Sequence, residues 1–150
     1  MGFCAGLLTL LLFLTSGCKR EDLKVKQLVE PEYPARARID GIQGTVQVGV
    51  QIGIGGKVLW VHGTGADLIL VDAAEENARQ WIWGPFPAKF SYPYYHEVEY
   101  IFKLQGKPVE VLTQPPYVRT GLPNWIEISA PPVTPNKFIV VPKPGSAPDH

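Results

Sequence analysis

The strongest constraint on this chain is a strict two-residue alternation that opens at Thr45. Val46, Val48, Val50 and Ile52 fall on one side, and Gln47, Gly49, Gln51 and Gly53 on the other. Only an extended strand with one buried face places side chains with that period. The run ends in Ile54-Gly55-Gly56-Lys57, whose glycines supply the positive φ of a tight hairpin turn. Val58-Leu59-Trp60-Val61-His62 reads as the return strand, and Gly63-Thr64-Gly65 as its break.

The pattern then changes period. Asp67 is a helix N-cap, and Leu70, Ala73, Ala74, Asn77, Ala78 and Trp81 recur at helical spacing. Asp72, Glu75, Glu76, Arg79 and Gln80 face outward, with both glutamates within reach of Arg79 on the helix surface. Pro85 and Pro87 forbid continuation. A third strand follows from about Glu97 to Leu104, with Val98, Tyr100, Phe102 and Leu104 on one face, and Trp125 to Ile128 can supply a fourth. Hairpin, helix and strand make an α+β layer: a small antiparallel sheet of three to four strands with one covering helix.

The ends differ from the middle. Phe3 to Gly17 carries no charge and is centred on Leu7–Leu14, a run shorter than the ~20 residues of a membrane-crossing helix. It has the length of a signal-peptide core, followed by the small residues Thr15-Ser16-Gly17. With Cys18 next, the segment resembles a bacterial lipoprotein signal, cut before a cysteine whose sulfur takes the lipid. Thr15 stands where that class prefers leucine. Residues 1–18 are therefore expected to direct export and Cys18 to be lipidated, while residues 19–30, with seven charges, read as a solvated tether. Residues 105–150 hold ten of the 15 prolines, which argues against a compact continuous fold there and for a Pro-rich extension with an extra strand at most.

Little chemistry is available to the mature part. Both cysteines, Cys4 and Cys18, lie in the signal, so the rest has no disulfide, thiolate metal site or cysteine nucleophile. Net charge is zero, which leaves no electrostatic footprint for nucleic acid. His62, His96 and His150 show no metal-ligand spacing, so no metal or other cofactor is expected. Glu97 and Glu99 share the outward face of one strand and read as solvated. Ser91 and Ser129 lack a nucleophile context. Gly53-Ile54-Gly55-Gly56 has no helix after it to cradle a phosphate. No catalytic residue is assigned, and the expectation is a protein that is not an enzyme. Phe86, Phe90, Tyr92, Tyr94 and Tyr95 form an aromatic loop that either packs over Trp81 and Trp83 or grips a sugar or peptide.

Four segments in order carry a family resemblance: Pro31-Glu32-Tyr33-Pro34-Ala35-Arg36-Ala37, Gly44-Thr45-Val46-Gln47-Val48, the helix end Ala78-Arg79-Gln80-Trp81-Ile82-Trp83-Gly84-Pro85, and the third strand with Phe102 and Leu104. Together they resemble the TonB C-terminal domain over residues 31–104. The resemblance implies a non-catalytic periplasmic module that binds an extended peptide of an outer-membrane transport protein by strand addition. Carried over, the receiving edge is Glu97, Val98, Glu99, Tyr100, Ile101, Phe102 and Lys103, helped by Glu30, Pro31, Glu32 and Tyr33. Glu30 stands where the family often has glutamine, and an ionised carboxylate cannot donate a hydrogen bond. The partner would then be an outer-membrane receptor or another envelope protein, with the membrane held through the Cys18 lipid. Two other readings remain open. One is an energy transducer of TonB-dependent transport whose N-terminal run stays uncleaved as an anchor. The other is an envelope scaffold that binds glycan through the aromatic loop. Trp125 to Ile128 could also lie against the third strand and close the edge assigned to the partner.

Overall fold

A computed structural model of the chain describes residues 23–84 and 93–134. The signal segment with Cys18, residues 19–22, the loop residues Phe86, Phe90, Ser91 and Tyr92, and His150 lie outside them. In chain order the elements are β1 (Val25–Gln27), α1 (Ala35–Asp40), β2 (Gly44–Ile52), β3 (Val58–Gly65), α2 (Leu68–Arg79), β4 (Ile82–Trp83), β5 (Tyr94–Leu104), β6 (Tyr117–Gly121) and β7 (Trp125–Ala130).

The alternating run forms the hairpin that its period requires. Val46, Val48, Val50 and Ile52 of β2 are buried, and β2 pairs antiparallel with both β3 and β5. Gly55 and Gly56 take positive φ in the turn. At Gly56 a side chain is excluded outright, because an added Cβ would lie 1.8 Å from the Trp83 carbonyl oxygen. That close approach lets the Gly56 carbonyl accept a hydrogen bond from the Trp83 amide at 2.8 Å.

β3 runs on through Gly63-Thr64-Gly65 instead of breaking there. These glycines serve the approach of α2: a Cβ on Gly63 would meet Val71 at 2.9 Å. α2 starts at its expected cap, with the Asp67 carboxylate accepting from the Ile69 amide at 2.9 Å. Its inner face buries Leu70, Val71, Ala74, Asn77 and Ala78 against β2 and β3. A buried network organises the centre. The Asn77 Oδ1 accepts from Trp81 Nε1 and from the Tyr100 hydroxyl, each at 2.9 Å, and Asn77 Nδ2 donates to the Val29 carbonyl at 3.0 Å. Burial pushes the Tyr100 phenol pKa up.

Two expectations change. The charged stretch before Pro31 is not all tether: β1 pairs with β4, and Leu23, Val25, Leu28 and Val29 pack half-buried on the core. Lys24 and Lys26 conceal this in sequence because they stay exposed between the inward Leu23 and Val25 and the half-buried Leu28 and Val29. The larger change follows Leu104. The main sheet has five strands in the order β3-β2-β5-β7-β6, and β7 lies parallel to β5. Ile126 and Ile128 are fully buried, so the sheet is mixed and its core extends past Leu104. Among the described residues the prolines of this region fall in its connections (Pro108, Pro115, Pro116, Pro123, Pro131 and Pro132), where they remove no ladder hydrogen bond. Arg38 secures the connections to α1. It is buried, and its Nε donates to the Pro131 carbonyl and its Nη1 to the Gln114 carbonyl, at 3.0 and 3.2 Å.

Candidate functional site

A strand edge receives a peptide through main-chain groups left unpaired by its own sheet. The residues expected to form that edge are divided by the fold among three environments. Val98, Tyr100 and Phe102 point into the core. Glu97, Glu99, Ile101 and Lys103 point to the opposite face, which neither helix covers. The main chain from Glu99 to Leu104 is paired on both sides: with β2 up to Phe102, and with β7 throughout, from Glu99 opposite Trp125 to Leu104 opposite Ala130. The Glu99 amide also donates to the Asn124 carbonyl at 2.8 Å. The edge assigned to a partner is therefore occupied by the chain's own β7, and the outer strands of the sheet are β3 and β6.

The segment before α1 is divided too. Pro31 and Tyr33 are buried. The Tyr33 ring packs edge-on to Phe102 with centroids 5.4 Å apart, and its hydroxyl donates to the Ile42 carbonyl at 2.7 Å. Burial raises its pKa to about 12. Glu30 and Glu32 instead line a groove of about 300 Å³ beside Ala73, Glu76 and Gln80 of α2. Of the two segments, the core brings Tyr33 and Phe102 together. The four glutamates stay apart, Glu30 and Glu32 on the helix side and Glu97 and Glu99 on the open face.

At the occupied edge the open face carries an ion cluster. The Glu127 carboxylate on β7 bonds Lys103 on β5 and lies 3.5 Å from Arg119 on β6. The Lys103 hydrogen bond, with both cations near, holds this carboxyl below the ordinary value. One carboxylate between two cations ties three adjacent strands together across the face.

The other half of the face holds a groove of about 690 Å³ that sequence reading did not find. Its floor is Gly49, which the register sets opposite His62 on β3 and Glu97 on β5. In the adjacent row Gln51 lies between Trp60 and Tyr95. The Trp60 ring stacks on His62 with centroids 5.6 Å apart, and Gln51 Nε2 donates to the Tyr95 hydroxyl at 2.8 Å. Both rings are well exposed, Trp60 at 52% and Tyr95 at 64%. Of the aromatic loop, Tyr94 packs half-buried on the core while Tyr95 faces out. Each of these residues is visible in sequence; the signal that joins them is cross-strand register, which a single strand's pattern does not carry.

His96 points to the helix side. Its ring meets Trp83 edge-on at 5.4 Å, and Nε2 lies 3.1 Å from the Pro123 carbonyl. Burial lowers its pKa, which favours the neutral ring. Among the described residues no three of His, Cys, Asp or Glu are grouped to hold a metal ion, and no helix is long and apolar enough to cross a membrane.

The family model described as Gram-negative bacterial TonB protein C-terminal matches residues 29–104. None of the curated proteins and none of the solved structures compared with the chain matches it. The matched span stops at the last residue of β5 and leaves out β6 and β7.

Proposed function

This chain belongs to the family of Gram-negative bacterial TonB protein C-terminal domains, and from that premise we propose that it binds an extended peptide of an outer-membrane transport protein by exchange with β7 at the β5 edge. The family acts on the periplasmic side of the envelope and engages outer-membrane receptors without catalysis. The finer reading is a protein held to an envelope membrane by a lipid on Cys18 and capturing its partner locally.

The observation that supports it is the β5–β7 pairing. β5 is an edge that takes a parallel strand, with Ile126, Ile128 and Ala130 filling alternate inward positions. An incoming peptide must supply main-chain pairing from Glu99 to Leu104 and small or branched apolar side chains at every second residue. It must also compete with a tethered occupant, whose effective concentration is in the ~mM range for a short connection. The expected wild-type affinity is accordingly weak, and any change that loosens β7 strengthens it.

The test is an NMR titration of the full-length chain with peptides from the start of outer-membrane receptors. The expected result is movement of the Glu99–Leu104 amides, with at least roughly tenfold tighter binding in Ile128→Ala, because weakening the internal competitor raises the population of the open edge. Unmoved β5 amides in both proteins would remove the mechanism. For the tether, mass analysis of the membrane-extracted protein should give an acylated N-terminus at Cys18; a retained Met1 would point to an uncleaved anchor instead.

A further inference from the structure

We propose that the groove over Gly49 on the open face of the sheet is a second binding site, and that it takes the cationic side chain of a lysine or arginine from a protein partner. Four features of the groove point to that chemistry. Its floor lacks a Cβ at Gly49, so a long narrow side chain can lie between the β3 and β5 side chains. Its walls include two exposed aromatic rings, Trp60 and Tyr95, whose electron-rich faces attract cations. Its rim carries the Glu97 carboxylate; among the described residues no Lys or Arg makes an ion pair with it, and none lines the groove. The two rings are also held before any ligand arrives, Trp60 by stacking on His62 and Tyr95 by the Gln51 hydrogen bond. Preorganised walls reduce the ordering cost of binding.

Charge distribution on the face selects this occupant over a neutral sugar ring. At the far end, Lys103 and Arg119 are engaged with Glu127. At the groove end, the carboxylates of Glu97 and Glu99 pair with no Lys or Arg among the described residues; the Glu99 carboxylate accepts from the neutral Gln47 amide, at 2.9 Å. A sugar can stack on the rings and donate a hydroxyl to the carboxylate, but it leaves the negative charge unneutralised. A cation binds the rings and neutralises the charge.

This site does not rest on strand exchange at β5, and one titration separates the two. The full-length chain is titrated with acetyl-Gly-Gly-Arg-Gly-Gly-amide, which has no apolar residues to replace those of β7, and with its citrulline counterpart. The readouts are the Trp60 indole N–H for the groove and the Glu99–Leu104 amides for the edge. The arginine peptide should move the Trp60 signal and leave the Ile101–Leu104 amides in place. Citrulline should bind at least roughly tenfold more weakly, and added salt should weaken the arginine peptide. Glu97→Gln, which keeps size and shape, and Trp60→Ala, at an exposed position, should each cost roughly fivefold to tenfold in affinity, while Tyr117→Ala at the far edge changes nothing. The proposal is overturned by an unmoved Trp60 signal at millimolar peptide, by equal binding of citrulline, by undiminished binding in Glu97→Gln, or by a response to chitotriose that arginine does not reproduce.

Discussion

The two halves of the sheet share one core but are read very differently. The half made of β3, β2 and β5 lies within the family match and is covered by α2. The half made of β7 and β6 lies beyond the match, in a stretch rich in proline. Burial does not respect that boundary. Ile126 and Ile128 are as completely enclosed as Val48 and Val98. The ladder from Glu99 to Leu104 runs as continuously on the β7 side as the ladder from Gly44 to Ile52 does on the β2–β5 side. A segment outside a family's shared span can thus be integral to the folded unit, and here it occupies the strand edge that the shared span would otherwise leave open.

The sharpest way to break this comparison is at Ile128. If the β7 half is integral, Ile128→Ala leaves a cavity in a sealed core and lowers unfolding stability by about 2–5 kcal/mol, with one cooperative transition in urea. A loss under about 1 kcal/mol, or two separate transitions, would make the hairpin an appendage. Asn77→Ala tests the other half. It leaves the Trp81 indole and the Tyr100 hydroxyl without their shared acceptor and should cost about 2–3 kcal/mol by the same measurement. Arg38→Ala addresses the seam between the halves. It removes two bonds to the tail connections and should cost about 1–2 kcal/mol. It should also speed amide exchange at Val109 and Val133, which lie close to those bonds, more than at Val48.

The smallest effect is a pH dependence at His96, whose ring touches Trp83 from one half and the Pro123 carbonyl from the other. Its folded pKa lies below the ordinary value, so the unfolded chain binds the proton more readily. Its contribution is therefore fully present above the unfolded pKa of ~6.5 and is lost as pH falls through the lower folded value. Thermal midpoints should decline slightly below neutrality in the wild type and less in His96→Gln; identical slopes would show that His96 does not link proton binding to folding.

These contrasts also mark what sequence alone can carry. The β2–β3 hairpin was legible because from Val46 to Ile52 every inward residue of β2 is a Val or Ile and every outward one is Gln or Gly, so a single period fixes face and element. α2 was legible from Asp67 and its spacing. β7 was harder: Ile126, Glu127, Ile128, Ser129 and Ala130 are all buried in sequence order, because Lys103 and Arg119 cover Glu127 from neighbouring strands. The alternation of Ile126, Ile128 and Ala130 with Glu127 and Ser129 reads as a strand with one solvated face, and nothing local reports that the second face is covered as well. The parallel pairing with β5 leaves no local trace, since its partners lie 26 residues apart, as Glu99 and Trp125 do. The prolines masked the region further: clustered proline reads as open chain, yet each one among the described residues lies where the sheet needs no amide. The groove over Gly49 was illegible for the same reason as the parallel pairing. Trp60, His62, Tyr95 and Glu97 are unremarkable until register places one glycine among them.

The parallel β5–β7 pairing also has a consequence in time. A chain emerges from its N-terminus, so β2, β3, α2 and β5 are all present before the strand that seals them has arrived. Until Ala130 is available, β5 offers an unpaired row of amides and carbonyls flanked by the apolar positions that Ile126 and Ile128 later fill. A bare, apolar strand edge is the species that other chains capture. A newly made chain of this protein therefore exposes that edge until β7 is complete, whereas the folded protein does not.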